Sequence, residues 1–189
     1  HHTCYTKTVI KQFPITSPPE YNVDSYRWLL PASQVESDHP EIVNKARELT
    51  RGLSDPMAKV RKLASWVADT VKDEPVESFS ALEVLRTKKG ECQAHTMLYT
   101  ALARAVGIPT RMTGGLVYMD GVGFLYHAWA ESDVGGWVSV DPTFDQVGVD
   151  ATHIKLVEGP GWLSIVPVGR VVGRVKATVM DYQAVCGRP

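Results

Sequence analysis

The chain has 189 residues, 44% of them hydrophobic, with 20 basic and 21 acidic side chains and a formal net charge of -1. That is enough apolar material for a single domain with a substantial core. The near-neutral balance, without a basic block or stripe, excludes an evident nucleic-acid partner, and no apolar run approaches the roughly 18 residues of a membrane span. Residues 1–36 lack helical periodicity and read as an N-terminal extension packed on a domain over 37–189. Within the extension, Tyr5 to Phe13 reads as a strand, Pro14 to Pro19 breaks it, and the aromatic-rich run from Tyr21 to Leu30 is expected to lie across the body.

Helical signals begin at Asp38. Asp38 or His39 can cap, Pro40 suits a first turn, Glu41 complements the dipole, and Ile42, Ala46 and Leu49 supply a buried face that Gly52 closes. A second helix opens at Asp55-Pro56, carries the apolar stripe Val60, Leu63, Ala64, Val67 and Val71, and is bounded by Pro75. A third opens with the capping box Ser80-Ala81-Leu82-Glu83 and runs toward Gly90. In the fourth, Leu98, Ala101, Leu102 and Ala105 follow the i, i+3, i+4, i+7 spacing of a helix with one buried face, until Gly107 and Pro109 stop it. Cys92 falls in the first turn of this helix. Unpaired backbone N–H groups and the macrodipole favour an anion there, so a thiol gains thiolate character. A small apolar residue packed at a helix start is the alternative on this stretch alone.

After Gly107 the pattern changes to strands. Arg111 to Met119 is one, with Gly114 and Gly115 marking a bulge or a close backbone approach. Phe124 to Glu131 and Trp137 to Val140 form a hairpin, and Thr152 to Val157 and Gly169 to Tyr182 read as later strands. Helices first and sequential strands afterwards define an α+β fold with an antiparallel sheet.

Of the three cysteines, Cys4 and Cys186 lie near opposite ends. A bridge between them would leave Cys92 as the single free thiol and suit an oxidising compartment, periplasmic or secreted; two unpaired thiols are the alternative. A cysteine nucleophile needs a base and a group that orients the base. Among the six histidines, His1, His2 and His39 lie in terminal or irregular segments, and His153 sits late with no obvious partner. His95, one turn beyond Cys92, reads as a polar residue near a cleft rim, while His127 lies inside an aromatic-rich strand. If the hairpin turn is centred on Val134, Trp129 faces Ser139 and His127 faces Asp141. Directly opposed side chains have Cβ atoms roughly 4.5–5.5 Å apart, so an imidazole and a carboxylate would meet, and a one-residue slip would separate them. Cys92 is then the nucleophile, His127 the base and Asp141 the orienter, with the Cys92 N–H as one oxyanion donor. A second donor is needed, and Tyr, Trp and Gln side chains upstream of Cys92 are candidates. Asp141 before Pro142 is also compatible with a simple turn. A Cys/His/Asp zinc site would consume the same residues, but no Cys-x-x-Cys or His-x-x-x-His spacing supports it; neither a metal nor a cofactor is called for.

Four blocks in order carry a family resemblance: Gly90-Glu91-Cys92; Ala101 to Arg111 with Gly115-Leu116-Val117-Tyr118; His127-Ala128-Trp129-Ala130-Glu131; and Gly136 to Thr143. Together they resemble the transglutaminase-like superfamily core over roughly residues 55–160. The resemblance implies a papain-like fold and a catalytic triad at Cys92, His127 and Asp141. It also implies a cysteine hydrolase that cleaves a peptide or amide bond in a peptide or protein substrate through a thioacyl intermediate. Acyl transfer from glutamine to an amine, and a non-catalytic peptide-binding module on the same fold, are the other functions the family accommodates. Two departures are minor: Glu91 stands where Asp is frequent, and Asp145 where Gly is common.

Overall fold

Side-chain capping fixes the helical half. The computed structural model describes residues 23–76 and 80–167; the strands expected at Tyr5 to Phe13 and Gly169 to Tyr182, and both Cys4 and Cys186, lie outside them. A single helical turn, α1 (Val23–Tyr26), and a 3-10 turn (Arg27–Leu29) lead in, each too short to leave a periodic pattern in the sequence. In α2 (Pro40–Leu49) the His39 ring accepts the Glu41 N–H. In α3 (Pro56–Thr70) the Asp55 carboxylate accepts from Met57 and Ala58, and in α4 (Ala81–Thr87) the Ser80 hydroxyl accepts from Glu83. These are the partners that the orphan N–H groups of a first helical turn require. Two helices end earlier than their glycine and proline boundaries imply: α3 closes at Thr70, well before Pro75, and α4 closes on Lys88 in the left-handed conformation, before Gly90.

The fourth helix, α5 (Cys92–Ala105), is the spine. Its sequence implies one buried face, yet every residue from Ala94 to Arg104 is buried. The helices α2, α3 and α4 pack on one side and the strands on the other. Two of the polar residues this traps are bonded: Thr96 donates to the Cys92 and Ala128 carbonyls, and the Tyr99 hydroxyl pairs with that of Ser132 at 2.8 Å. Such pairing is what makes buried polar groups tolerable.

The sheet comprises β1 (Thr110–Met119), β2 (Gly123–Asp133), β3 (Trp137–Asp141), the short β4 (Gln146–Val147) and β5 (His153–Gly159). It is antiparallel in the order β4-β3-β2-β1-β5, and α6 (Trp162–Ile165) follows β5. Alternate residues Ala128 and Ala130 of β2 and Val138 and Val140 of β3 face the helical core. The glycine pair in β1 does both things its sequence signals. Pairing with β5 shifts by one residue between Gly114 and Gly115, and a Cβ on Gly115 would overlap the Ile154 carbonyl and approach the Trp129 ring to 2.8 Å.

Arg104 ties three segments to the C-terminal part of α5. Its guanidinium donates to the carbonyls of Thr110 at 2.8 Å, Leu30 at 2.9 Å and Pro160 at 2.8 Å. Burial pulls it down to about 10, still cationic at neutral pH. No carboxylate is bonded to it in this set, so the three carbonyl dipoles carry the stabilisation of the charge. Arg104→Met should therefore lower the unfolding free energy in urea by about 3 kcal/mol or more, because buried acceptors lose their donor. Arg104→Lys should recover part of that loss, and a Met variant within 1 kcal/mol of the parent would show the clamp to be dispensable.

Candidate active site

Cys92 is the first residue of α5 and is half-buried. Unlike α2, α3 and α4, this helix has no side-chain cap; its N-cap residue is Glu91, and no side chain accepts from its first N–H groups. His127 lies in β2 and Asp141 ends β3. The hairpin joining them pairs Asp133 with Trp137, Glu131 with Ser139 and Ala130 with Val140. Its register is two residues away from a turn centred on Val134, and His127 is therefore diagonal to Asp141 rather than opposite it. The cause is a turn tightened to three residues, 134–136, in which Gly135 and Gly136 take positive φ of 94° and 159° and both donate their N–H groups to the Asp133 carboxylate. A shift of two keeps the parity of the strand, so His127 and Asp141 stay on one face, and diagonal neighbours remain within reach of long side chains.

The three groups converge. His127 Nε2 lies 2.6 Å from Asp141 Oδ2, while the Cys92 thiol donates to Gln93 Oε1 at 3.3 Å and lies within electrostatic reach of the ring. Asp141 divides its oxygens between two tasks. Oδ1 accepts from the Thr143 and Phe144 backbone at 2.8 and 3.3 Å, which is the turn that Asp141-Pro142 foreshadows, while Oδ2 faces the imidazole. Burial alone would pull His127 below its ordinary 6.5, but the hydrogen bonds and negative charges of Asp141 and Cys92 outweigh it and raise it to about 9. Burial likewise pushes Asp141 upward, and the hydrogen bonds from His127 and His153 prevail, holding its carboxyl well below 3.8. Aromatic rings flank the imidazole: Phe144, partly exposed, stacks on it at 5.0 Å, and buried Trp129 lies nearly parallel at 6.2 Å.

One neighbour of Cys92 is placed differently from its sequence reading. His95 is a buried strut rather than a rim residue, with Nδ1 3.0 Å from the Glu91 carbonyl and Nε2 3.1 Å from the Val71 carbonyl. With both nitrogens held by backbone, it ties the start of α5 to the end of α3. Lys88 sits over the Trp66 ring at 4.8 Å and Lys89 pairs with Glu74 at 2.7 Å, so each is committed away from the thiol.

Two further residues belong to the site. His153 Nε2 lies 3.0 Å from the same Asp141 Oδ2. Tyr126 Oη is buried without a hydrogen-bond partner among the described residues, and its phenol is pushed up to about 12, first by burial and then by the charge of Cys92. Tyr126 is thus a protonated donor within electrostatic reach of the sulfur, and it lies on β2 rather than upstream of Cys92. The only sequence signal for it is its place directly before His127.

The layering of a helix-borne cysteine against a sheet-borne histidine and aspartate is that of a papain-like α+β fold. The family model of the transglutaminase-like superfamily core matches residues 43–142, and the chain belongs to that superfamily. An uncharacterised protein of Mycobacterium leprae is 28% identical over 109 residues, covering 54% of this chain and 39% of that protein. Among solved structures, a candidate cysteine protease of Cytophaga hutchinsonii superposes with a TM-score of 0.67 at 21% identity, covering 80% of this chain and 51% of that one. The periplasmic domain of TgpA from Pseudomonas aeruginosa superposes with a TM-score of 0.52 at 24% identity, covering 67% and 49%. The chain thus spans about half the length of these structures, and the likeness to them is one of fold.

The buried pair makes stability depend on pH with a defined sign. His127, raised from 6.5 to about 9, contributes fully below 6.5 and loses its contribution as pH rises through about 9. Asp141, lowered from 3.8, contributes fully above 3.8 and loses its contribution as pH falls below that value. The melting temperature of the parent should therefore exceed that of Asp141→Asn most between 3.8 and 6.5, with the gap narrowing on both sides. A gap that stayed constant from pH 3 to pH 10 would mean that no such ion pair exists in solution.

Proposed function

We propose that this chain is a cysteine hydrolase that cleaves a peptide or amide bond through a thioacyl-enzyme intermediate. The observation that carries this reading is one buried imidazole, His127, bonded to the Asp141 carboxylate at 2.6 Å and lying within electrostatic reach of Cys92 at the start of α5. A protonated ring beside a sulfur at a helix N-terminus is the arrangement of a thiolate–imidazolium pair. The sulfur adds to the carbonyl carbon, and the oxyanion forms near the uncapped start of α5, where the Cys92 N–H can donate. His127 then gives its proton to the departing amine as the C–N bond breaks, leaving a thioester. A water molecule, deprotonated by the same imidazole, attacks the thioester, releases the carboxylic acid and restores the thiol. Asp141 fixes the tautomer of His127 and balances its charge throughout.

Tyr126 fits the role of second oxyanion donor. Its hydroxyl is desolvated, protonated and unbonded among the described residues, a state that an incoming oxyanion would relieve.

Transfer of the acyl group from a glutamine side chain to an amine shares the first half of this scheme and is the second reading, favoured by membership of the superfamily. Incubating the protein with a glutamine-containing peptide library and a labelled primary amine separates the two. Cleavage or ammonia release without label uptake supports hydrolysis, and label uptake supports transfer. Cys92→Ala should abolish either activity, and turnover surviving in that variant would refute the thioacyl scheme. Tyr126→Phe should lower kcat by about 100- to 1000-fold with KM little changed, the size expected for losing one oxyanion donor; an unaltered kcat would assign the donor elsewhere.

A further inference from the structure

We infer that His153 is a positioning residue of this site, whose Nε2–H holds the Asp141 carboxylate in line with His127 and takes a share of its charge. The inference rests on the reading of Cys92, His127 and Asp141 proposed above. Asp141 is wholly buried, and an ionised carboxylate offers about four lone-pair sites that must be filled when water is excluded. Two are met at Oδ1 by the Thr143 and Phe144 N–H groups, at 2.8 and 3.3 Å. The third is met at Oδ2 by His127 at 2.6 Å and the fourth by His153 at 3.0 Å. Without His153 the carboxylate keeps an empty acceptor site on the very oxygen that orients the base.

His153 is itself held on every side. It opens β5, a strand that pairs with β1 and not with the hairpin carrying His127 and Asp141. Its Nδ1 lies 3.1 Å from Thr152 Oγ1 and 3.7 Å from Asp150 Oδ1. Thr152 is in turn bonded to Asp150 through both its backbone N–H and its hydroxyl. The Trp129 ring meets the His153 ring edge-on at 5.2 Å, and the His153 side chain is 1% exposed. A donor this rigid adds directionality that the turn amides on Oδ1 do not supply. Three donor atoms, one each from His127, Asp141 and His153, lie within 4.8 Å of one another, a spacing that a transition metal could bridge. Two N–H donors on one carboxylate oxygen account for the same arrangement with no further component.

Charge sharing gives the inference a signature that simple packing lacks. The ionisable groups facing His127 are Cys92 from α5, Asp141 from β3 and His153 from β5, with Tyr126 beside it on β2; those facing His153 are Asp141 and Asp150. Removing the His153 donor returns the whole Asp141 charge to His127, so the imidazole should hold its proton to higher pH, while the freed carboxylate orients it less well. The test compares the parent with His153→Leu, which keeps bulk but has no donor, and His153→Gln, whose amide nitrogen reaches the Nε2 position. The first readout is the rate of Cys92 carboxymethylation by iodoacetamide against pH, followed on the Cys92 peptide by mass spectrometry. The second is kcat and KM on a peptide substrate.

In His153→Leu the alkaline limb should move up by about half a pH unit or more, with kcat down about 10- to 100-fold and KM nearly unchanged. His153→Gln should recover most of the loss. If the Leu variant does not fold, His153→Asn, whose amide falls at the Nδ1 position, takes its place. An unshifted limb with unchanged kcat in the donor-free variant overturns the inference, as does a Gln variant as impaired as Leu. A zinc-induced rise in melting temperature that His153→Leu abolishes would overturn it in favour of metal ligation. If the parent's Cys92 is alkylated no differently from that of His127→Ala, the fault lies with the proposed function itself and the inference falls with it.

Discussion

A carboxylate with no exposure to water is the constraint around which the sheet side of this protein is arranged. Moving an ion of that size out of water costs several kcal/mol even after relaxation, and only well-directed donors offset it. The donors at Asp141 come from its own turn, from β2 and from β5, so three chain segments must converge on two oxygen atoms. That requirement explains details that look incidental in isolation. The Gly135-Gly136 turn sets which residue of β2 lies diagonal to Asp141. The shift in pairing at Gly114 and Gly115 sets how β5 delivers His153. The missing Cβ at Gly115 leaves room for the Trp129 ring, which supports both imidazoles.

The helical side meets a different demand, because a thiol must be presented at the open end of an otherwise buried helix. Burial of α5 on all sides fixes its axis, while His95 and Arg104 tie its two ends to neighbouring backbone. With both ends held, the position of the first residue becomes a property of the core and not of a loop. The absent cap at Glu91 completes the arrangement. On the proposed function, a capping side chain would occupy N–H groups that an oxyanion would use, and the local stability forgone there leaves donors free beside the sulfur.

What the sequence made legible follows the range of the forces involved. Capping residues act over three or four positions, which is why Asp55-Pro56 and Ser80 with Glu83 mark their helix starts. Alternation along β2 and β3 is equally local, so the shared face of His127 and Asp141 could be read although the register could not. Register depended on how many residues a glycine-rich turn takes up, which alternation does not encode. His95 was misplaced because a histidine with both nitrogens on carbonyls looks, in one dimension, like any polar residue in a helix. His153 was invisible for a deeper reason: its partner is a strand order away, and nothing within its own segment records that β5 lies beside β1. A polar residue opening a short strand just after an Asp-x-Thr turn was the sole hint, and it is a weak one.

On the reading proposed above, the chemistry divides at the acyl-enzyme, and the layout of the site bears on where. The side chains of His127, Asp141 and His153 are buried, whereas Cys92 is only half-buried and Phe144, stacked on His127, is 41% exposed. The imidazole that must deprotonate the acyl acceptor is thus approached past Phe144 on one face, with Trp129 closing the other. Water passes such a ring readily. A protein-borne lysine must bring its alkyl chain along the ring face, where contact with an aromatic surface is favourable to a cation. On that reading the same three residues serve either acceptor, and the choice between hydrolysis and transfer belongs to the surface around Cys92 and Phe144.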